Sequence, residues 1–103
     1  MVNIIIYLKK EFNAEELVGF LLFEKLIASA TVDENNISYK IHNDNIYTEI
    51  YSVITAQSKS LLLKNIIETV ENRIKDKVLI NSTPIVGSSQ TFDELIKEKT
   101  IKI

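Results

Sequence analysis

The stretch Asn36–Gln57, NISYKIHNDNIYTEIYSVITAQ, predicts the element around which the rest of the chain folds. Apolar and polar residues alternate on both sides of the polar segment His42–Asn45, and β-branched and aromatic residues are frequent. Such alternation is typical of strands, and an Asn/Asp-rich segment between two of them is typical of a turn. We therefore expect two long strands joined in a hairpin.

The composition is that of one ordinary globular domain. The chain has 103 residues, which suffices for one hydrophobic core, so we expect residues 1–103 to form a single domain. Hydrophobic residues make up 46% and charged residues 25%, close to the average for soluble proteins. A net charge of -2 provides no basic surplus for phosphates, so nucleic acid is not an expected partner.

The sequence contains no cysteine, which excludes disulfides, thiolate zinc sites and cysteine nucleophiles. In MVNIIIYLKK the apolar residues precede the basic pair, the reverse of the order in a secretory signal. No apolar run approaches the ~20 residues that span a bilayer. These patterns favour a cytoplasmic protein without a membrane partner.

Before the hairpin, the sequence predicts one strand and one helix. Val2–Leu8 is a nearly continuous apolar run, as in a strand covered on both faces. Apolar residues at helical spacing then predict a helix from residue 14 to residue 26 or 27, with Asn13 as its N-cap. Gly19 lies inside this helix, where we expect it to permit close approach to the sheet.

After the hairpin, helical spacing resumes over 61–74 and a last strand follows within 77–86. Pro84 lacks an amide donor, so it should lie at a sheet edge or at the strand's end. Phe92–Ile96 then predicts a short helix capped by Ser89 or Thr91.

The element order is β-α-β-β-α-β with one appended helix, and it predicts an α+β, ferredoxin-like sandwich. Both main helices would cover one face of an antiparallel sheet and leave the other bare. The hairpin nonetheless carries large side chains on both faces, such as Ile50 and Tyr51. So much exposed apolar surface is unusual in a monomer. We therefore expect copies to associate in a closed ring through the bare face and the long hairpin.

Several segments resemble the CutA family of divalent-ion tolerance proteins. LFEKLIASA, residues 22–30, resembles the family's L-x-E-x-x-L-A-A-C pattern, Thr83-Pro84-Ile85 its A-L-P-I segment, and Phe92–Ile96 its closing Y-L-x-W-I helix. The resemblance covers nearly the whole chain. It implies a homotrimer of ferredoxin-like subunits that serves as a non-enzymatic binding or scaffold module, with weak divalent metal ion binding.

The chain departs from the family pattern where metal or ligand contact is usually discussed. Ala30 stands in place of the family's cysteine, Asp44 and Asn45 stand near its tip glycine and lysine, and residues 75–80 replace its His-Pro-Tyr-Glu-x-Pro run. The resemblance therefore implies the fold and the trimer more directly than a metal site.

Two sets of side chains are candidates for ligand contact. His42, the only histidine, lies beside Asp44 and offers nitrogen and oxygen donors to a divalent metal ion, although the same residues are ordinary in a turn. Tyr39, Tyr47 and Tyr51 are candidates for a small-ligand pocket between subunits, because aromatic residues with polar tips are favoured at interfaces. Cross-strand pairing would explain them equally well.

No serine has a catalytic-triad context and no carboxylate pair stands out, so the sequence predicts no enzyme. The alternative class is a small-molecule-sensing regulatory trimer of the PII-like kind, which shares the element order. PII-like sensors project a long loop between the middle strands, whereas only His42–Asn45 lies there in this chain. This difference favours the CutA-like interpretation.

Overall fold

The protein, described here from a computed structural model of residues 1–103, consists of four strands and three helices. They are β1 (Val2–Lys9), α1 (Ala14–Phe23), β2 (Ser29–His42), β3 (Asn45–Ser58), α2 (Leu63–Ile74), β4 (Leu79–Pro84) and α3 (Gln90–Lys99). The strands form one sheet in the order β2-β3-β1-β4, and every neighbouring pair is antiparallel. The predicted α+β, ferredoxin-like sandwich is confirmed.

The hydrophobic core lies between the helices and one face of the sheet. Even-numbered residues of β1, such as Ile4 and Ile6, are completely buried there. They belong to the same apolar cluster as Leu21 of α1 and Ile66 of α2. This helix-side face is therefore covered, at least over the length of β1.

Helix α1 begins as predicted, because the Asn13 side chain accepts a hydrogen bond from the backbone N–H of Glu16 at 3.0 Å. The expectation for Gly19 is wrong. A Cβ built on this residue would meet no atom within 4 Å, so close packing against the sheet does not require glycine there.

Helix α1 ends at Phe23 and not at residue 26 or 27. Lys25 adopts a left-handed conformation with φ of 58°, and the N–H of Leu26 bonds to the carbonyl of Leu21 at 3.0 Å. This is the Schellman arrangement, which ends a helix. The predicted end was too late because the buried residues after the helix continue its apolar spacing.

The other predicted elements hold with small changes. Helix α2 is preceded by a 3₁₀ turn over Ser60–Leu62, so the helical stretch begins one residue before the predicted residue 61. Pro84 is the last residue of the edge strand β4, as predicted. Ser89 caps α3 by accepting a hydrogen bond from the N–H of Phe92 at 3.2 Å. None of the helices has the length and apolar character required to cross a bilayer.

A two-residue turn closes the hairpin. Asn43 and Asp44 have φ values of 49° and 63°, the left-handed pair that tight hairpins require and that Asn and Asp tolerate. His42 and Asn45 pair across the strands, so they belong to the ladder. The hairpin therefore consists of two 14-residue strands with almost no loop.

A β-bulge changes which residues of β2 face the helices. Glu34 and Asn35 lie between the pairs Asp33–Val53 and Asn36–Tyr51, opposite one residue of β3. The extra residue moves odd-numbered positions after the bulge onto the helix-side face. The bulge thereby places Ile37, Tyr39 and Ile41 of β2 on the same face as Ile46 and Ile50 of β3, and we call these five residues the hairpin stripe. Each of them is more than half exposed.

Candidate ligand-binding and metal-binding residues

The three candidate tyrosines do not lie on one face. Tyr39 pairs with Thr48 and belongs to the hairpin stripe, whereas Tyr47 and Tyr51 lie on the opposite, open face of the sheet. A hairpin closed by two residues pairs odd-numbered positions of one strand with even-numbered positions of the other. The tyrosines therefore form no common pocket within one copy, and the turn length in the sequence already implied this.

The hydroxyl group of Tyr51 both donates and accepts a hydrogen bond. The residue is only 4% exposed, and its hydroxyl donates to a Glu49 carboxylate oxygen at 3.0 Å. The same hydroxyl accepts from the Lys40 ammonium, which also lies 3.3 Å from Glu49. The Tyr51 ring meets Tyr7 edge-on, with ring centres 6.0 Å apart. The residue therefore works as a structural anchor of the open face.

These contacts shift two pKa values. The hydrogen bond from Tyr51, followed by that from Lys40, lowers the pKa of Glu49 below its ordinary 4.5. The pKa of Lys40 is raised above 10.5, first by its hydrogen bond to Tyr51 and then by that to Glu49. Both groups are consequently charged at neutral pH.

A recess of about 370 Å³ lies on the open face, and all four strands contribute to its lining. Its lining residues are Tyr7, Ser38, Tyr51, Leu79, Ile80 and Asn81. Sequence reasoning missed Tyr7 and Leu79, because they are far apart in the chain and become neighbours only through pairing of β1 with β4. The apolar run of β1 was a partial signal, since it predicted large side chains on both faces.

The hairpin tip holds the candidate metal residues. The His42 ring meets Tyr47 edge-on, with ring centres 6.5 Å apart, and Asp44 occupies the turn. A shallow recess of about 500 Å³ is lined here by His42, Asn43, Asn45 and Tyr47.

The donors at the tip do not make a stable metal site within one copy. Nowhere in the chain do three or more His, Cys, Asp or Glu side chains converge. One imidazole and one carboxylate fall short of the three or four protein ligands that transition-metal sites use. A stable divalent metal site at the tip would therefore require donors from another copy.

No protein-family model and no curated protein matches the sequence. Solved structures do match the fold. CutA1 from Oryza sativa superposes with a TM-score of 0.88 at 20% identity, over 99% of this chain and 94% of that one. A divalent cation tolerance protein from Thermus thermophilus gives 0.85 at 16% identity, over 97% and 99%.

A third similar structure is the periplasmic divalent cation tolerance protein CutA from Archaeoglobus fulgidus, with a TM-score of 0.82 at 20% identity, over 96% of this chain and 98% of that one. The likeness thus extends over the whole length of each protein, including the long hairpin. The chain therefore has the fold of the CutA1 divalent-cation tolerance proteins, and the resemblance predicted from its sequence is confirmed at the level of the fold.

Proposed function

We propose that the protein is a CutA-like divalent-cation tolerance protein that acts as a non-enzymatic binding or scaffold module built from three copies. The observation that carries this proposal is the end-to-end likeness to CutA1, with a TM-score of 0.88 over 99% of the chain. The similar protein from Thermus thermophilus is described as a divalent cation tolerance protein, which supports the same broad role here.

We propose that copies associate through the open face of the sheet and the long hairpin. The hairpin stripe, which lies on the helix-side face, supports the contact through the hairpin. It holds four isoleucines and one tyrosine, and Ile46 at its outer end is 76% exposed. A contiguous apolar row of this kind usually marks an interaction surface. Burying it against a second copy would remove apolar area from water and stabilise the assembly by about 25 cal/mol for each Å² buried.

The two edges of the sheet support a ring. Strands β2 and β4 are the edges, and each has one side without a partner strand. Free edges tend to pair with other strands. Because the two edges differ, joining β2 of one copy to β4 of the next is a head-to-tail contact, which closes into a ring when the rotation permits.

Solution mass tests this proposal. We expect light scattering to give about three times the 11.8 kDa of one chain. Ile50→Asp should reduce the mass to that of a single copy, because an unpaired charge in an apolar interface is costly. Val86→Asp is the matched control, since Val86 is 96% exposed and lies outside the hairpin.

A single-copy mass for the unaltered protein would contradict the ring. An unchanged mass for Ile50→Asp would show that the copies meet through another surface. Tyr51→Asp would be a poor substitute in this experiment, because Tyr51 is buried within one copy and its loss would disturb the fold itself.

The hairpin turn favours the CutA-like role over the PII-like alternative. Only Asn43 and Asp44 lie between β2 and β3, whereas a PII-like sensor would project a long loop at this point. For the compartment we propose the cytoplasm; the protein from Archaeoglobus fulgidus is described as periplasmic, and cell fractionation would distinguish the two.

Calorimetric titration with Cu(II) tests the metal residues at the tip. We expect weak binding, because His42 and Asp44 alone supply too few donors. His42→Ala should reduce this weak binding further, and Glu68→Gln, which alters an exposed carboxylate on α2, should not. Tight stoichiometric binding that disappears in His42→Ala would show that several tips combine into a real site.

A further inference from the structure

Three separate segments meet at the end of the molecule opposite the hairpin tip. The N–H of Ile101 donates to the carbonyl of Lys25, just after α1, at 2.9 Å. The Lys59 ammonium, just before the 3₁₀ turn, donates to the carbonyl of Ile101 at 2.8 Å. We call residues 22–25, 59–61 and 101–102 the base. These hydrogen bonds hold the three segments of the base together.

The base presents large apolar side chains to water. Phe23 is 90% exposed and Leu61 is 76% exposed, while Leu22 and Ile101 are each 41% exposed. None of the four is needed to fill the core, since the neighbouring Leu21 and Leu62 already do so. An aromatic ring that projects almost entirely into water costs free energy unless something covers it.

The base also carries lysines without carboxylate partners. Lys25, Lys59 and Lys102 take part in none of the four ion pairs of the chain. The base contains a single acidic side chain, Glu24. Within a chain of net charge -2, the base thus carries three lysines against one carboxylate, and Glu68 of α2 lies in a recess beside Glu24.

We propose that the base docks on an anionic phospholipid surface. Exposed aromatic and aliphatic side chains insert at the boundary between headgroups and acyl chains, and nearby lysines attract anionic headgroups. The expectation that no membrane partner exists depended on the lack of a spanning segment. It does not bear on a surface patch that folding assembles from three segments.

A lipid surface fits the base better than an acidic peptide does. The adjacent recess between the helices, about 370 Å³ in volume, is the place where an apolar peptide side chain would anchor. Two carboxylates, Glu24 and Glu68, line this recess, so an acidic peptide anchored in it would have its own acidic groups beside them, whereas a lipid layer that rests on the projecting side chains does not have to enter the recess. The projecting Phe23 and Leu61 need no complementary groove if they insert into a fluid layer.

Docking does not depend on the proposed ring, but the ring would strengthen it. Copies related by rotation about one axis carry their bases at the same height along that axis. Where the bases point along that axis, three of them contact one surface together, so that avidity adds to the affinity of each.

Co-sedimentation with vesicles tests the proposal. We expect the protein to bind phosphatidylcholine vesicles that contain phosphatidylserine, to bind pure phosphatidylcholine much less, and to be released by high salt because salt screens the lysines. Absence of binding to the phosphatidylserine vesicles, or binding that ignores both lipid charge and salt, would overturn the proposal.

Two matched variants locate the surface. Lys25 and Lys75 are both exposed, both follow a helix and both have a left-handed conformation, with φ of 58° and 57°. Lys25→Glu should weaken binding to the anionic vesicles at least about fivefold. Lys75→Glu makes the same change in net charge at the other end of α2 and should leave binding nearly intact. Equal losses in both would overturn the location.

The apolar part of the base is tested with Phe23→Ser, which should weaken vesicle binding about tenfold while the mass in solution stays unchanged. If Phe23→Ser instead lowers the oligomer mass, the base is a contact between copies and the lipid proposal fails. If the unaltered protein is a single copy that still binds anionic vesicles in the predicted way, the ring fails and the docking proposal stands.

Discussion

The half of the hairpin beside β1 and the half that projects beyond it have similar alternating sequences, but the helices cover only the first. Ile54, in the half beside β1, is completely buried under the helices, whereas Ile46 on the same face of the same strand is 76% exposed. Element lengths explain the difference. Helices α1 and α2 have 10 and 12 residues, or about 15 and 18 Å, while the 14 residues of β3 extend about 46 Å. Alternation in a sequence therefore predicts which face of the sheet a side chain lies on, but whether that side chain is buried depends on the helix that covers it.

The largest expected effect is the loss of stability on truncating Ile54, compared with the same truncation at Ile46. Ile54→Ala should lower the free energy of unfolding by about 2–5 kcal/mol, because it leaves a cavity in the core. Ile46→Ala should cost less than about 0.5 kcal/mol in a single copy, since the side chain is exposed there. Urea unfolding of dilute protein measures both. Equal losses in the dilute, dissociated protein would mean that the projecting half is covered within one copy.

A smaller effect is expected from stabilising helix α1, which covers the half of the hairpin beside β1. Gly19 lies inside α1 with a negative φ, and a methyl group at this position would meet only open space. Gly19→Ala should therefore raise the free energy of unfolding by about 0.5–1 kcal/mol. Gly87→Ala, outside any helix, is the control and should gain less. A loss of stability in Gly19→Ala would show that α1 needs the glycine for a contact between copies.

The smallest effect concerns the projecting half. The lowered pKa of Glu49 means that its contribution to stability is complete above pH 4.5 and is lost as the pH falls through the lowered pKa. The raised pKa of Lys40 means that its contribution is lost only as the pH rises above 10.5.

Urea midpoints measured from neutral pH to about pH 3 should therefore decline less in Glu49→Gln than in the unaltered protein. The difference should be small, because partly exposed pairs contribute little. Glu68→Gln is again the control, and a decline that is the same in all three proteins would show that the Tyr51 cluster does not couple to folding.

Much of the fold could be predicted because local chemistry and tertiary structure agree. Asn13 caps its helix and Pro84 ends its edge strand for reasons that involve only a few neighbouring atoms. The end of α1 could not be predicted in the same way. Leu26 is buried just as a helical residue would be, and the left-handed Lys25 lacks the glycine that usually marks a helix end.

The candidate sites could be predicted less well, because they depend on relations between strands. Tyr7 and Leu79 reach one recess only through the pairing of β1 with β4. Tyr39 separates from Tyr51 because of the strand register. The base is assembled from three segments, none of which has an unusual pattern by itself.

The bulge at Glu34 and Asn35 decides which side chains of the outer half of β2 face the helices. Inserting one residue between Tyr51 and Ser52 would pair the extra residue of β2, restore an even ladder and turn Ile37 toward the open face, while Ser38 and Lys40 would take over the helix-side row. The hydrophobic content of the strand would stay the same. A change of one residue in length, without any change of residue type, would thus exchange the surface that the protein offers to its own copies.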